Sequence, residues 1–272
     1  MLILAHGQPK SGSTFLFQIA SGAADLENRV KRKELYDIVA KTTKIIPQEF
    51  VPMLEDEMVD SLMAAVPQSL SFVLKVHGPL CERARTEIEN GRIRAFTSFR
   101  DPRDIAVSLR DVATKQRKEG KDNFFTSLRE LDDMVRPIRW MCYNVLEWAK
   151  CKNVIAIPFY LTALERERTI DILCAHLGFA NHIGRMRARF HAGREDRIGM
   201  FGKGIADRFL EDLKAKDIGA LTKALEPQIK SVDVLTRRWM EALGSESVAA
   251  QMLAARDKRL CSVGIDMQPA VG

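Results

Sequence analysis

Residues Gly7-Gln8-Pro9-Lys10-Ser11-Gly12-Ser13-Thr14 constrain this chain more than any other segment. They lie between an apolar run, Met1–Ala5, and a helix-like stretch, Phe15–Ala20. The three pieces read as a strand, a tight glycine loop and a helix N-terminus. The N–H groups of a first helical turn lack intrahelical partners, and the helix dipole adds partial positive charge there. The combination is an anion cradle. It fits the phosphate-binding pattern G-x-x-x-x-G-K-[ST] except at the lysine position, which holds Ser13; the lysine stands earlier, at Lys10. An ordinary strand-to-helix turn with a Ser/Thr cap accounts for Ser11 or Ser13, but not for a lysine inside a Gly/Ser loop.

The same alternation continues downstream. Leu2–His6, Phe72–Val76, Arg94–Phe99 and Val154–Phe159 are almost continuously apolar, as strands buried on both faces are. Helix-length amphipathic stretches separate them: Thr14–Ala24, Glu55–Ala65, Leu80–Asn90, Pro102–Lys115, Met134–Ala149 and Leu161–Leu177. Strands joined by helices imply a central parallel sheet with helices on both faces. Beyond Gly204 only helical patterns follow, at Ala206–Lys214, Ile218–Ala224, Ile229–Leu243 and Ser247–Arg259. The expectation is an α/β fold with a helical C-terminal third: one domain over residues 1–261 and a loose tail over 262–272.

Composition narrows the partners. Of 272 residues, 46% are hydrophobic and 29% charged, enough for a substantial core, and the net charge of +6 does not call for nucleic acid. The 7% aromatic content argues against a stacking surface for single strands. The five cysteines are scattered without a C-x-x-C pair, as in a reduced compartment. Met1–Ala5 is too short for a signal-peptide core, and no run approaches the roughly 20 apolar residues of a membrane span. The reading is a cytoplasmic protein without a membrane span; a homodimer stays open.

Ligands of open parallel sheets sit beyond the carboxyl ends of the strands, and the first three strands all run into polar residues there. Strand one enters the Lys10 loop. The second ends in Lys75-Val76-His77-Gly78-Pro79, where His77 beside Lys75 suits either a hydrogen-bonded structural histidine or a general base for a hydroxyl. The third ends in Arg100-Asp101-Pro102-Arg103-Asp104. Asp101 and Pro102 start a helix, and Arg103 and Asp104 read as surface or capping residues. Ser108 lies roughly 9 Å further along that helix. Arg100 and Ser108 could share one phosphate, or Arg100 could pair with Asp101 or Asp104 while Ser108 faces solvent. Arg197 through Gly204 reads as a flexible basic flap or a hinge. No His/Asp/Glu cluster has metal-ligand spacing.

These elements, in this order, resemble the cytosolic-type sulfotransferases that use 3′-phosphoadenosine 5′-phosphosulfate (PAPS). Pro9-Lys10-Ser11-Gly12-Ser13-Thr14-Phe15 is similar to that family's 5′-phosphosulfate loop, P-K-S-G-T-T-W. Lys75 through Pro79 resembles its K-T-H-x-P segment, and Arg100 through Ser108 its 3′-phosphate motif. Arg197-Ile198-Gly199 with Gly202 resembles its R-K-G-x-x-G element, and Val154–Gly178 its strand, turn and helix that follow. Phe15 stands for the family's tryptophan against adenine, Phe159 for its adenine-contacting tyrosine, and Ile198 for its lysine.

The resemblance implies transfer of a sulfuryl group from PAPS to an acceptor hydroxyl or amine, without a metal, leaving adenosine 3′,5′-bisphosphate (PAP). It implies His77 as base, Lys10 at the leaving phosphate, and Lys75 at the sulfuryl oxygens. The cofactor would be held by Lys10, Ser11, Gly12, Ser13, Thr14, Phe15, Arg100, Ser108, Arg197, Ile198 and Gly199. The acceptor, a small molecule or carbohydrate, would be chosen by the segments Gly22–Ser71 and Lys115–Met134. A P-loop kinase using ATP and magnesium, or a non-catalytic polyanion-binding protein, are the rival readings.

Overall fold

The computed structural model describes residues 1–28, 32–43, 50–192 and 204–265. Strand β1 (Leu2–His6) leads into α1 (Ser13–Asn28), followed by α2 (Arg32–Thr43), β2 (Phe50–Val51), α3 (Asp56–Ala65), β3 (Phe72–Val76) and α4 (Glu82–Glu89). Next come β4 (Ile93–Phe99), α5 (Pro102–Lys118), the single turn α6 (Phe124–Ser127), α7 (Leu131–Lys150) and β5 (Val154–Pro158). Helices α8 (Phe159–Leu164), α9 (Arg166–His176) and α10 (Ile183–Ala192) follow, then α11 (Phe209–Asp212), α12 (Ala215–Ala224), α13 (Glu226–Leu243) and α14 (Val248–Ser262). Among the described residues there is one five-stranded sheet, of order β2-β3-β1-β4-β5, in which every neighbouring pair is parallel.

Successive residues of β1 point to opposite faces, and both faces are covered. Leu2 and Leu4 join a core with Val59 and Leu62 of α3 and Ala84 and Ile88 of α4. Ile3 and Ala5 join another with Leu16, Ile19 and Ala23 of α1 and Ile170 and Leu173 of α9. At the end of β4, Phe99 meets a third core built by α5, α7 and α13, including Ile105, Met134, Ile138 and Ile229. Each fully buried Leu, Ile, Val, Met or Phe side chain among these contributes about 1.5–3 kcal/mol by leaving water. The α/β class, the parallel sheet and the helices on both faces agree with the sequence.

The differences have identifiable causes. Phe159 opens α8 instead of ending a strand, and Leu161–Leu177 is two helices broken at Glu165. The Glu165 carboxylate is drawn out to the start of α14, where it accepts from Ser247 Oγ and from Ala249 N at 3.1 Å. Arg103 and Asp104 are not on the surface: they are 0% and 2% exposed. Asp101 caps α5 by accepting from Arg103 N at 2.8 Å, as the sequence suggests. It also holds the Arg103 guanidinium through Oδ1 at 3.0 Å and Oδ2 at 2.7 Å, and that pairing makes the burial affordable.

Candidate active site

The loop after β1 is fixed at both ends by the neighbouring strands. Gln8 N donates to Ser98 O of β4 at 3.0 Å, and Ser11 Oγ lies 2.6 Å from Gln8 O and 2.7 Å from Ser98 Oγ. Lys10 and Gly12 take positive φ, 72° and 84°. At Gly7 the constraint is space: a Cβ there would stand 2.2 Å from Ser98 Oγ and 2.6 Å from Ser13 Cβ. At Gly12 it would stand 2.7 Å from Thr162 Oγ1 of α8. The first bond of α1 runs from Phe15 N to Gly12 O at 2.9 Å. The amides of Ser13 and Thr14 therefore precede the intrahelical ladder. Phe15 itself is buried, edge-on to Phe190 of α10 with ring centroids 5.9 Å apart.

The end of β3 folds onto the same loop. His77 Nδ1 sits 2.5 Å from Gly7 O, an arrangement that requires the ring to donate there and leaves Nε2 as an acceptor. Burial first, and the Lys75 ammonium second, lower the His77 pKa to about 4, with the Gly7 carbonyl opposing. The ring is therefore neutral at physiological pH. The ring lies tilted against Phe50 of β2, with centroids 5.0 Å apart. Lys75 Nζ donates to Thr14 Oγ1 at 2.9 Å, tying the strand to the first turn of α1. The turn is held from behind by Trp148 of α7, whose indole N–H donates to Gly78 O at 3.1 Å.

From the other side comes Arg100 at the end of β4. Its amide donates to Gln8 Oε1 at 3.0 Å, and its Nη1 reaches Lys10 O at 3.3 Å. Nε donates to Asp104 Oδ2 at 3.1 Å and Nη2 to Ile205 O at 2.7 Å. The guanidinium lies over the Phe159 ring, 3.9 Å from its centroid. Arg100 thus does pair with Asp104, yet Ser108 is buried at 8% exposure and does not face solvent. Burial, then the Arg100 charge, lower the pKa of the Lys10 ammonium, with Asp111 opposing. Lys10 and Arg100 are thus two cations held close together, with Asp111 and Asp104 as their acidic neighbours.

The structure therefore brings Lys10, Ser11, Gly12, Ser13, Thr14, Lys75, His77 and Arg100 to the β1, β3 and β4 ends of the sheet. Arg197, Ile198 and Gly199, with the rest of the expected flap through Lys203, lie outside the described residues. Sequence reasoning missed Gln8, which clamps loop to strand, and the pair Tyr160–Asp207 behind Arg100. Nothing in their local sequence marks them, since each acts across 47 or more positions. Among the described residues no group of three or more His, Cys, Asp or Glu side chains is placed to hold a metal ion. No described helix is long and apolar enough to cross a membrane.

No family model and no curated relative matches the sequence. The architecture does have solved counterparts. Retinol dehydratase, in a complex with retinol and PAP, is 16% identical; the match covers 84% of this chain and 81% of the other, with a TM-score of 0.51. Mouse sulfotransferase SULT7A1, complexed with PAP, is 14% identical over 86% of both chains, with a TM-score of 0.55. A parallel sheet of order β2-β3-β1-β4-β5, the loop it holds at the end of β1 and these counterparts lead to one conclusion: the chain has the α/β fold of the PAPS-dependent sulfotransferases.

Proposed function

We propose that the protein is a sulfotransferase that moves a sulfuryl group from PAPS to a hydroxyl or amine of a small-molecule or carbohydrate acceptor. One observation carries the reading: His77 holds the Gly7 carbonyl while Arg100 holds the Lys10 carbonyl, so the base and the phosphate-binding arginine grip opposite ends of one anion loop. The residues fit the nucleotide, because the Ser13 and Thr14 amides precede the intrahelical ladder of α1 and Lys10 and Arg100 bring two cations to the same loop.

PAPS supplies a sulfuryl group on a phosphate leaving group. The neutral Nε2 of His77 takes the acceptor's proton as the acceptor oxygen or nitrogen bonds to sulfur and the bridging S–O bond breaks in line. Lys10 and the first-turn amides of α1, with the Ser11, Ser13 and Thr14 hydroxyls, stabilise charge on the leaving phosphate oxygen. Lys75, oriented by Thr14, holds the sulfuryl oxygens. Arg100 and Ser108 hold the 3′-phosphate, Arg197-Ile198-Gly199 close over it, and Phe15 borders the adenine. No metal takes part. We read residues 1–261 as one such domain acting in the cytoplasm, with no nucleic-acid partner. Retinol, a small alcohol bound by the retinol dehydratase counterpart, supports the small-molecule alternative for the acceptor.

Thermal melting tests this against a kinase or a polyanion binder. PAP at a hundredfold excess over Kd adds about 2.7 kcal/mol, a rise of roughly 5–10 °C for a chain of this size. ATP–magnesium and heparin are expected to leave the melting temperature unchanged. A rise with ATP–magnesium or heparin and none with PAP overturns the reading.

A further inference from the structure

Behind the proposed 3′-phosphate grip lies a buried arrangement that the transfer chemistry does not use. Residues 205–209 run across the start of α5 as a strap. Ile205 O accepts from Arg100 Nη2 at 2.7 Å, Asp207 N donates to Asp104 Oδ2 at 2.8 Å, and Phe209 N donates to Asp104 Oδ1 at 3.0 Å. Asp104 thus carries both the arginine and the strap on one carboxylate. The strap turns at Asp207, whose φ of 58° is left-handed, a conformation that aspartate and asparagine tolerate better than most residues. Tyr160 of α8 donates its hydroxyl to Asp207 Oδ1 at 2.5 Å, while Asp207 Oδ2 is buried with no hydrogen-bond partner among the described residues. A small cavity lined by Arg100, Asp104, Phe159, Tyr160, Ala206 and Arg256 adjoins them.

We propose that Asp207 is a positioning residue for the nucleotide's 3′-phosphate: it seats the strap on Arg100, and its charge sets how strongly that guanidinium draws a phosphate. This rests on the reading of Arg100 as the 3′-phosphate ligand. The groups facing Asp207 are Tyr160 from α8, Asp101 and Asp104 from the start of α5, and Arg256 from α14, with Arg100 reached through Asp104. Burial first, with the charges of Asp104 and Asp101, raises the Asp207 pKa to about 7, against the Tyr160 hydrogen bond and Arg256. An ionised Asp207 places a second negative charge behind Asp104 and works against an incoming phosphate; a protonated one does not.

The test is calorimetric titration of the full chain with PAP, and with adenosine 5′-phosphate, at pH 6 and pH 8. Asp207→Asn keeps an acceptor for Tyr160 and a residue suited to positive φ, but carries no charge. Wild type and this variant are expected to bind PAP alike at pH 6. At pH 8 the variant binds at least about fivefold more tightly, with no such difference for adenosine 5′-phosphate. The second ionisation of the 3′-phosphate, near pH 6, affects both proteins equally and cancels from the comparison. Tyr160→Phe, which unlatches the strap without changing charge, weakens PAP at both pH values. If wild type binds PAP and the two affinity ratios are the same at pH 6 and pH 8, the role of Asp207 is refuted and the sulfotransferase reading stands. If wild type does not bind PAP, the sulfotransferase reading falls and takes this one with it.

Discussion

At the scale of single residues, the environment of His77 decides what it can do. An imidazole with a pKa near 6.5 would be partly protonated in the cell, and a protonated ring cannot accept a proton. Burial and Lys75 remove that competition, while the Gly7 carbonyl fixes which nitrogen carries the hydrogen. His77→Ala is expected to lower kcat on the order of 10²–10⁴-fold while PAP still binds, less tightly by the loss of the grip on the Gly7 carbonyl, measured by sulfuryl-transfer rate and by titration. A variant turning over at the wild-type rate removes His77 from the chemistry. The position of Lys75, His77 and Arg100 at the carboxyl ends of β3 and β4 is legible in the sequence, because Lys75 sits near the end of one apolar run while His77 and Arg100 directly follow such runs. Arg103 was misread for an equally physical reason. Arginine is rarely buried whole, and only the fork it makes with Asp101, seen in three dimensions, accounts for it.

Elements were legible in proportion to how local their causes are. β1 and β3 match their apolar runs residue for residue, since a strand buried on both faces writes itself as continuous hydrophobicity. β2, two residues long, leaves no periodicity to read. The break between α8 and α9 depends on Ser247 and Ala249, more than 80 positions away, and so has no local mark. The loop between β1 and α1 is legible as a tight glycine turn into a helix N-terminus, but its rigidity is not, because that comes from Gln8, Ser98 and Thr162. Gly7→Ala tests the rigidity. Its new methyl would overlap Ser98 Oγ and Ser13, so the variant is expected to lose roughly 1–3 kcal/mol, seen as a lower denaturation midpoint, and to bind PAP more weakly. Unchanged stability and binding would show the loop to be pliable.

For the molecule as a whole, buried histidines make stability depend on pH. Burial, together with His77, puts the His6 pKa well below 6.5; burial and Lys75 put that of His77 at about 4. The unfolded chain takes protons on both as pH falls through about 6.5, whereas the folded chain refuses them. Their contribution is therefore complete above pH 6.5 and is lost progressively towards pH 4. Asp207, raised to about 7, works in the opposite direction over the same window and offsets one of the two. Among these three groups the two histidines outweigh the one carboxyl, at about 1.4 kcal/mol per pH unit for each proton in excess, so the melting temperature is expected to fall between pH 6.5 and pH 4.5. A melting temperature that rises over that interval contradicts the assignment. Placing β1 between β3 and β4 has a last consequence. With the Gly7 and Lys10 carbonyls already engaged by side chains that follow both flanking strands, the loop is preorganised, and a nucleotide docking as proposed would find its seat already shaped.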